Sequence, residues 1–379
     1  MSDATGGRTL IPVSLLTGFL GSGKTTLLNH AVRHPLLADS AVLVNEVGAI
    51  GLDHHLVRSA KPDVVLLEGG CMCCTVRGEL SDTLRDLLFR RGRDGVSKFN
   101  RMLIETTGLA DPAPILQSLL SDPIVAQHYR LDGVITTVDG VLGMDELDRH
   151  FESVKQAAVA DRLVLTKCDA APLPGLERLE ARLRELNPAA PIYRSEHGQI
   201  DPALLLNAGL FDPSRKIADV TRWLAAAAYR PVSRASLLPG QVAHASAHDE
   251  RIRSFTLSFE RPIPWAGLMA AMEMLLSFRG EDLLRVKGIL NLEGQTQPVV
   301  MQSVQSVLYP LTRLDVWPDE DRRTRLVFIV RDLDPGFIED VLRQFIDAAQ
   351  APAEVEAVAE GDHAAPAVQP AGAAGGRMP

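Results

Sequence analysis

The sequence Gly18-Phe-Leu-Gly-Ser-Gly-Lys-Thr25 carries the strongest structural signal in this chain. It matches the pattern G-x-x-x-x-G-K-[S/T], in which the glycines allow successive backbone N–H groups to converge on phosphate oxygens. A β-rich run, Ile11–Thr17, precedes the motif, and a helical pattern, Lys24–Arg33, follows it. Because this phosphate-binding loop requires a strand before it and a helix after it, the sequence predicts a nucleotide bound at the N-terminus of a helix.

Residues of this loop have separate predicted roles. The ammonium group of Lys24 would reach the β- and γ-phosphates, and the hydroxyl of Thr25 would be a ligand of Mg²⁺. Further contacts to the nucleotide are expected from the rest of the loop and the first helical turn, namely Gly18, Gly21, Ser22, Gly23 and Thr26.

The surrounding sequence alternates between short apolar runs and helical patterns. This alternation predicts βαβ units, and therefore an α/β fold whose mainly parallel sheet is covered by helices on both faces. Ligands of such sheets bind at the carboxyl ends of the strands. The predicted strands after the first are Ala41–Asn45, Val64–Leu67, Met102–Glu105, Gly133–Val138 and Arg162–Thr166.

A smaller α+β domain is predicted in the C-terminal part of the chain. Periodicity indicates, in order, strand Arg251–Glu260, helix Trp265–Phe278, strands Leu283–Leu290, Val299–Leu308 and Arg325–Val330, and helix Pro335–Ala348. This β-α-β-β-β-α order favours a ferredoxin-like sandwich. The boundaries that we expect are 1–9 for an N-terminal extension, 10–210 for the phosphate-loop domain, 211–250 for a connector, 251–348 for the C-terminal domain and 349–379 for a disordered Ala/Pro/Gly-rich tail.

The composition excludes several classes of protein. The 379 residues carry a formal charge of −9 and are 46% hydrophobic, which suits two domains with packed cores. The acidic balance argues against a nucleic-acid binder, and no apolar run approaches the ~18 residues of a membrane span. Three of the four cysteines lie within Cys71–Cys74, a pattern typical of reduced metal ligands, so we expect a cytoplasmic protein.

Two further motifs at strand ends specify the nucleotide. Glu105 can hold Mg²⁺ through water, and Gly108 in the following Thr-Thr-Gly can approach the γ-phosphate, although a Glu at this point could instead cap a helix. In Thr166-Lys-Cys-Asp169, Asp169 can accept two hydrogen bonds from the N1–H and N2–H₂ edge of guanine, and Lys167 can lay its alkyl stem along the base. The predicted nucleotide is therefore GTP, and Cys168 is expected to pack in the core.

The cysteine cluster in Glu68-Gly-Gly-Cys-Met-Cys-Cys-Thr75 predicts a site for a transferable metal ion. Cys71, Cys73 and Cys74 can present thiolates to one ion, with Zn²⁺ favoured and Cu⁺ or Co²⁺ as alternatives. Three thiolates do not fill a tetrahedral site, so a fourth ligand or an open position is implied, and an open position suits transfer. A redox pair or inert packing is the alternative for these thiols.

Acidic and histidine residues elsewhere are weaker candidates. The segment Asn45-Glu-Val-Gly-Ala-Ile-Gly-Leu-Asp53 is a plausible nucleotide-sensing switch, in which Glu46 and Asp53 could orient water, contact Mg²⁺ or complete the thiolate site. Each of the two acids could equally be a solvated cap. His244 and His248 have the i, i+4 spacing of a metal clip, but their flanks lack a clear helical pattern.

Together these motifs resemble the CobW-like family of P-loop GTPases, the metallochaperone branch related to urease and hydrogenase accessory GTPases. The resemblance extends from about Leu10 to Ala348. It rests on Gly18–Thr26, Asn45–Gly48, Gly70–Cys74, Glu105–Gly108, Thr166–Asp169 and the run Leu284–Leu290.

The resemblance implies a Mg²⁺·GTP-dependent GTPase that binds zinc, or cobalt in some members, through its C-x-C-C thiolates and releases it to a client metalloenzyme on hydrolysis. It implies that Lys24, Thr25 and Glu105 bind phosphate and Mg²⁺ and that Asp169 binds guanine.

The chain departs from many members in two ways. Ala49 stands where they carry Glu, and only His244 and His248 remain of a histidine tract between the domains.

The expected partners are GTP or GDP, a transition-metal ion and a client metalloenzyme. We expect neither nucleic acid nor a membrane as a partner, and a nucleotide-dependent dimer is left open.

Two other functions compete with the metallochaperone. One is a GTP-dependent activator that docks on a partner enzyme without transferring metal. The other is a small-molecule kinase, which would need an acceptor pocket and a basic lid that the sequence does not indicate.

Overall fold

Seven strands of the first domain form one parallel sheet in the computed structural model, which describes residues 10–45, 64–67, 76–94, 96–208, 220–221 and 251–351. The sheet order is β3-β2-β4-β1-β5-β6-β7, and each neighbouring pair runs parallel. β1 thus lies at the centre and brings the phosphate-binding loop to the middle of the carboxyl edge. The strands are β1 (Ile11–Gly18), β2 (Ser40–Asn45), β3 (Val64–Leu67), β4 (Arg101–Glu105), β5 (Tyr129–Asp139), β6 (Arg162–Thr166) and β7 (Ile192–Arg194).

Helices cover both faces of this sheet. Val13 and Leu15 of β1 pack into one core and Leu16 into another, because successive side chains of a strand point to opposite faces. A strand buried on both faces has a continuous apolar sequence, which is what made β1 recognisable. The helices are α1 (Lys24–Ala31), α2 (Val76–Arg90), α3 (Pro112–Ser121), α4 (Pro123–Ala126), α5 (Gly143–Arg149), α6 (Phe151–Val159) and α7 (Leu173–Leu186), with short 3₁₀ turns at Pro35–Leu37 and Pro202–Leu205.

An antiparallel sheet with two helices forms the second domain. The sheet order is β11-β10-β9-β13-β8, with β12 paired to β10. β8 and β9 both run antiparallel to β13, so they are parallel to each other and, with the connecting helix α8, make a split β-α-β unit. The elements are β8 (Ile252–Phe259), α8 (Trp265–Arg279), β9 (Arg285–Leu290), β10 (Val299–Val304), β11 (Val307–Leu308), β12 (Thr312–Arg313), β13 (Thr324–Arg331) and α9 (Pro335–Gln350).

Two expectations about these elements need correction, and a third is confirmed. The helix predicted over Lys24–Arg33 ends at Ala31, because Pro35 keeps His34 in an extended conformation. The strand predicted over Val299–Leu308 is a hairpin of two strands. The α+β prediction is confirmed: the domain contains the split β-α-β unit, and the closing helix, α9, follows the last strand of the sheet as predicted.

Several sequence features lie outside the described residues. They are Glu46, Asp53, the cysteine cluster, His244, His248, the whole N-terminal extension and most of the connector and tail. The domain boundaries therefore stay predictions. Among the helices that the structure describes, none is long and apolar enough to cross a membrane.

The two domains share packing and a buried ion pair. Leu284 and Ile329 of the second domain belong to the core around α6 and α7 of the first. Arg285 forms an ion pair with Asp161, and the Lys287 Nζ atom lies 3.0 Å from the same carboxylate. Burial opposes ionisation of Asp161, but the charges of Arg285 and Lys287 outweigh it and lower its pKa.

Candidate nucleotide-binding site

Gly18 begins a phosphate-binding loop whose backbone is closed against β5. Its φ of 144° lies outside the range of most side chains, and a Cβ atom there would lie 2.2 Å from the Thr137 Oγ1 atom. The Ser22 Oγ atom lies 2.7 Å from the same Thr137 oxygen, and the Thr166 hydroxyl donates to the carbonyl oxygen of Ser22 at 2.7 Å. Strands β5 and β6 therefore hold the loop in shape where it turns, through Gly21 and Gly23, into α1.

Lys24 is folded into this loop with only 8% of its surface exposed. Its Nζ atom donates to the carbonyl oxygens of Gly18 and Phe19, both at 2.9 Å. Burial lowers the pKa of Lys24, and the negative charges of Glu105 and Glu146 offset part of that shift. The ammonium group thus lies at the concave side of the loop, where phosphate oxygens bind in such sites.

Thr25 and Glu105 meet at the carboxyl edge of the sheet. The Thr25 hydroxyl donates to the Glu105 Oε1 atom at 2.6 Å, and Glu105 is 4% exposed at the end of β4. A hydroxyl and a carboxylate are the hard oxygen donors that Mg²⁺ prefers, and they lie together at the first turn of α1. The residues present therefore fit a Mg²⁺ ion beside the phosphate loop.

The residues that follow Glu105 run alongside the phosphate loop. The Thr106 backbone N–H donates to the carbonyl oxygen of Leu16 at 2.9 Å. A Cβ atom on Gly108 would lie 2.6 Å from the backbone nitrogen of Leu20, so only glycine fits at this distance. Gly108 is in contact with the loop, which is the location that its predicted approach to the γ-phosphate requires.

The motif Thr166–Asp169, predicted to recognise the base, is anchored to the end of β5. The Lys167 Nζ atom donates to the Asp139 Oδ2 atom at 2.5 Å, and the Asp139 Oδ1 atom accepts the backbone N–H groups of Val141 and Leu142. Asp139 is only 1% exposed, so a buried carboxylate holds the Lys167 side chain in place. Cys168 is buried in the core between β6 and α7, as predicted.

Asp169 is oriented by a turn that follows β7. Its Oδ1 atom accepts the backbone N–H of His197 at 2.9 Å, and its Oδ2 atom lies 3.1 Å from the His197 Nδ1 atom. The backbone hydrogen bond from His197 lowers the pKa of Asp169, so its carboxylate stays ionised. The next residue, Gly198, lies against Thr26 of α1, which brings the base motif and the phosphate loop into one site.

Two domain models match successive parts of this chain. The model "CobW/HypB/UreG, nucleotide-binding domain" matches residues 12–194, and the model "Cobalamin synthesis protein cobW C-terminal domain" matches residues 252–346. The chain belongs to the CobW family. The predicted resemblance is thereby confirmed, over both domains that the fold contains.

Named relatives of this CobW-family chain include zinc chaperones. The zinc chaperone YjiA of Escherichia coli is 35% identical over 319 residues, which are 84% of this chain and 93% of that protein. The zinc-regulated GTPase metalloprotein activator 1 of Schizosaccharomyces pombe is 35% identical over 205 residues, 50% of this chain and 47% of that protein. A crystal structure of the Zn(II)-bound YjiA GTPase from E. coli superposes with a TM-score of 0.62 at 30% identity and covers 89% of this chain and 99% of that one.

Several residues of the site in this CobW-family chain were not predicted from the sequence. Asp139 is the last residue of β5, next to β6. Because ligands of parallel sheets bind at the carboxyl ends of the strands, the argument that pointed to Glu105 could also have pointed to Asp139. Glu146 of α5 is buried near Lys24, and burial, together with the charge of Asp139, raises its pKa to about 7. Gln156, whose Nε2 atom donates to the carbonyl oxygen of Gly108, lies mid-helix and had no signal in the sequence. His197 had none either, because it lies in a short turn after a three-residue strand.

The cysteine cluster lies outside the described residues, but the strand that leads to it is described. Val44 of β2 pairs with Leu66 of β3 on one side and with Glu105 of β4 on the other. β3 therefore ends at the same sheet edge as the Glu105 carboxylate, two strands or about 10 Å away. Cys71 follows the last residue of β3 by four positions. Among the described residues alone, no group of three or more His, Cys, Asp or Glu side chains could hold a metal ion.

Proposed function

We propose that this protein is a GTP-hydrolysing metallochaperone that binds zinc at Cys71, Cys73 and Cys74 and transfers it to a client metalloenzyme under the control of GTP hydrolysis. One observation carries the proposal. The strand that precedes the cysteines and the strand that ends in Glu105 leave the sheet at the same edge, and Glu105 is hydrogen-bonded to Thr25. The names of the zinc chaperone and zinc-regulated relatives support zinc as the cargo.

Phosphate binding is assigned to Lys24 and the backbone of its loop. When GTP enters, the ammonium group exchanges its bonds to the Gly18 and Phe19 carbonyls for bonds to β- and γ-phosphate oxygens. Charge-assisted bonds to phosphate are stronger than bonds to neutral carbonyls, so the exchange favours binding. Thr25 and Glu105 would hold Mg²⁺, which neutralises the charge that develops on the phosphate oxygens during hydrolysis.

Base selection is assigned to Asp169 and Lys167. The carboxylate accepts the N1–H and N2–H₂ donors of guanine, which adenine lacks, and Lys167 lies along the base. The catalytic set that we propose is Lys24 and Glu105, joined from the switch segment by Glu46 and Asp53, which would orient water or contact Mg²⁺ or the cargo ion.

Metal binding is assigned to the three thiolates. Zn²⁺ is favoured, and Co²⁺ is a second candidate for the same ligands. Nucleotide and metal are coupled if both favour one conformation of the segments that leave this sheet edge, and each must then tighten the other to the same extent. The thiolates need a reducing compartment, which is the reason for the predicted cytoplasmic location.

A pair of variants tests the proposal. We expect Cys73→Ser to weaken zinc binding by at least tenfold while GTP affinity stays within about twofold, because a hydroxyl is a poor ligand for Zn²⁺. Lys24→Ala should do the reverse and remove GTP binding while zinc still binds in the absence of nucleotide. Zinc affinity is measured by competition with a chromophoric chelator, and GTP affinity by fluorescence of a labelled analogue.

Two outcomes would contradict the proposal. Equal loss of zinc and GTP binding in Cys73→Ser would assign the thiols to structure instead of metal binding. Partner binding that depends on nucleotide but is unaffected by chelator would favour the activator that docks without transferring metal.

A further inference from the structure

A hairpin of the C-terminal domain is inserted against the nucleotide-binding domain. Val304 and Val307, at the facing ends of β10 and β11, are buried in the same core as Ile115 and Leu116 of α3. Gln305, at the tip, is 4% exposed and has a φ of 49°. A non-glycine residue in the left-handed region costs energy and persists only where its surroundings fix it.

The side chain of Gln305 crosses to the first domain. Its Nε2 atom donates to the Asp111 Oδ1 atom at 2.9 Å. That oxygen also accepts the backbone N–H of Ala113 and so caps α3, while the Asp111 Oδ2 atom accepts Lys155 Nζ at 2.6 Å. Asp111 is therefore held at once by its own helix, by α6 and by the C-terminal domain.

Asp111 is also the last residue of the segment that contacts the phosphate loop. We call residues 105–111, from the Mg²⁺ candidate Glu105 through Gly108 to the cap of α3, the sensing loop. Within it, the carbonyl oxygens of Gly108 and Ala110 each accept a hydrogen bond from the Gln156 Nε2 atom at 3.1 Å. Gln156 neighbours Lys155 on α6, so one turn of this helix and the hairpin tip together fix the C-terminal half of the sensing loop.

We propose that Gln305 is a positioning residue that couples the C-terminal domain to the sensing loop through Asp111. The proposal rests on the GTPase function proposed above and on the approach of Gly108 to the γ-phosphate that the sequence predicts. The Gln305–Asp111 bond is present in the conformation in which Thr25 donates to Glu105, the two side chains that would hold Mg²⁺ with either nucleotide. Gln305 therefore stabilises this conformation of the sensing loop against a shift of Gly108 toward the γ-phosphate, a group that GDP lacks.

The test is Gln305→Asn in the full-length chain. Asparagine tolerates the left-handed backbone, so the turn is kept, but its shorter side chain cannot reach Asp111. We expect the affinity for a slowly hydrolysed GTP analogue to rise about three- to tenfold relative to the affinity for GDP. In addition, hydrogen exchange of the hairpin amides should differ between the GTP-analogue and GDP complexes of the unmodified protein and become equal in the variant.

Gln350→Asn is the matched control. Among the described residues, Gln350 bonds to the Pro262 carbonyl oxygen and to Glu293, both in the C-terminal domain, so the same chemical change there should leave the affinity ratio within twofold. A residue with a merely structural role would change both nucleotide affinities equally or only lower the melting temperature. An unchanged ratio in Gln305→Asn, or a shift toward GDP, would overturn the inference. If the unmodified protein does not hydrolyse GTP, the proposed function fails instead.

Discussion

Asp169 and Asp139 show how two carboxylates in one site acquire different tasks. Asp139 is buried, and its two oxygens are used by Lys167 and by backbone N–H groups. Asp169 is more exposed, and a backbone N–H holds its carboxylate in orientation, so it can exchange its contact with the His197 ring for a base. The first carboxylate positions the lysine, and the second is the one proposed to recognise guanine.

Replacing Asp169 with Asn should change base preference. The amide offers one acceptor and two donors where the carboxylate offered only acceptors, so it cannot accept both guanine donors. We expect GTP affinity to fall by about 10- to 100-fold, the cost of a hydrogen bond to a charged group, and xanthosine triphosphate to bind better than GTP. Asp201→Asn, a change at an exposed cap of the Pro202–Leu205 turn, is the control and should keep the GTP preference when both nucleotides are titrated.

Glu146 predicts a pH dependence of stability. Its pKa is near 7 in the folded protein and near 4.5 when exposed, so between these values the folded state holds a proton that the unfolded state has lost. Stability therefore falls by about 1.4 kcal/mol per pH unit as the pH rises from about 4.5 to about 7, and this loss persists at higher pH.

Glu146→Gln removes this titration and should be more stable than the unmodified protein at pH 8 by about 1–3 kcal/mol, but not at pH 4.5. Urea denaturation at several pH values measures the difference. Glu152→Gln, at an exposed position of α6, should show no such trend. A constant difference between Glu146→Gln and the unmodified protein at every pH would show that Glu146 does not titrate in this range.

Whole elements differ in how far the sequence predicted them. β1, the phosphate loop and α1 could be predicted because three signals follow one another in the sequence. They are a continuous apolar run for β1, closely spaced glycines for the loop and a helical periodicity for α1. β5 begins four residues earlier than predicted, at Tyr129, because its charged residues are accommodated by ion pairs such as Arg101–Asp132 that sequence periodicity does not show. The three-residue strand β7 and the hairpin at Gln305 are too short to give a periodic signal.

Glycine positions in two elements give a matched pair of substitutions. Gly108→Ala would place a methyl group 2.6 Å from the backbone of Leu20, so we expect the free energy of unfolding to fall by about 1–3 kcal/mol. We also expect the substitution to lower the affinity for a GTP analogue more than the affinity for GDP. Gly78→Ala on α2 meets nothing within 4 Å and should stabilise the helix by up to about 1 kcal/mol without affecting nucleotides. Equal behaviour of the two variants in thermal melts and nucleotide titrations would contradict the close contact at Gly108.

The molecule as a whole joins its candidate site from segments that are distant in sequence. The phosphate loop and the Glu105 and Asp169 motifs could be predicted because each has a fixed spacing next to a strand. Gln156 and Gln305 could not, because their roles depend on which carbonyl or carboxylate the tertiary fold brings near them. The same packing puts the strand that leads to the cysteine cluster and the strand that ends in Glu105 at one edge of the sheet.

The most direct test of nucleotide-controlled metal binding is an anaerobic zinc titration against a chromophoric chelator in three conditions. The protein is compared with Mg²⁺ alone, with Mg²⁺·GDP and with Mg²⁺ and a slowly hydrolysed GTP analogue, and Co²⁺ is titrated in parallel to rank the two metals. We predict that the GTP analogue tightens zinc binding at least tenfold, about 1.4 kcal/mol of coupling. Equal zinc affinity in all three conditions would contradict nucleotide-controlled delivery and leave a GTPase whose thiols serve structure or redox chemistry.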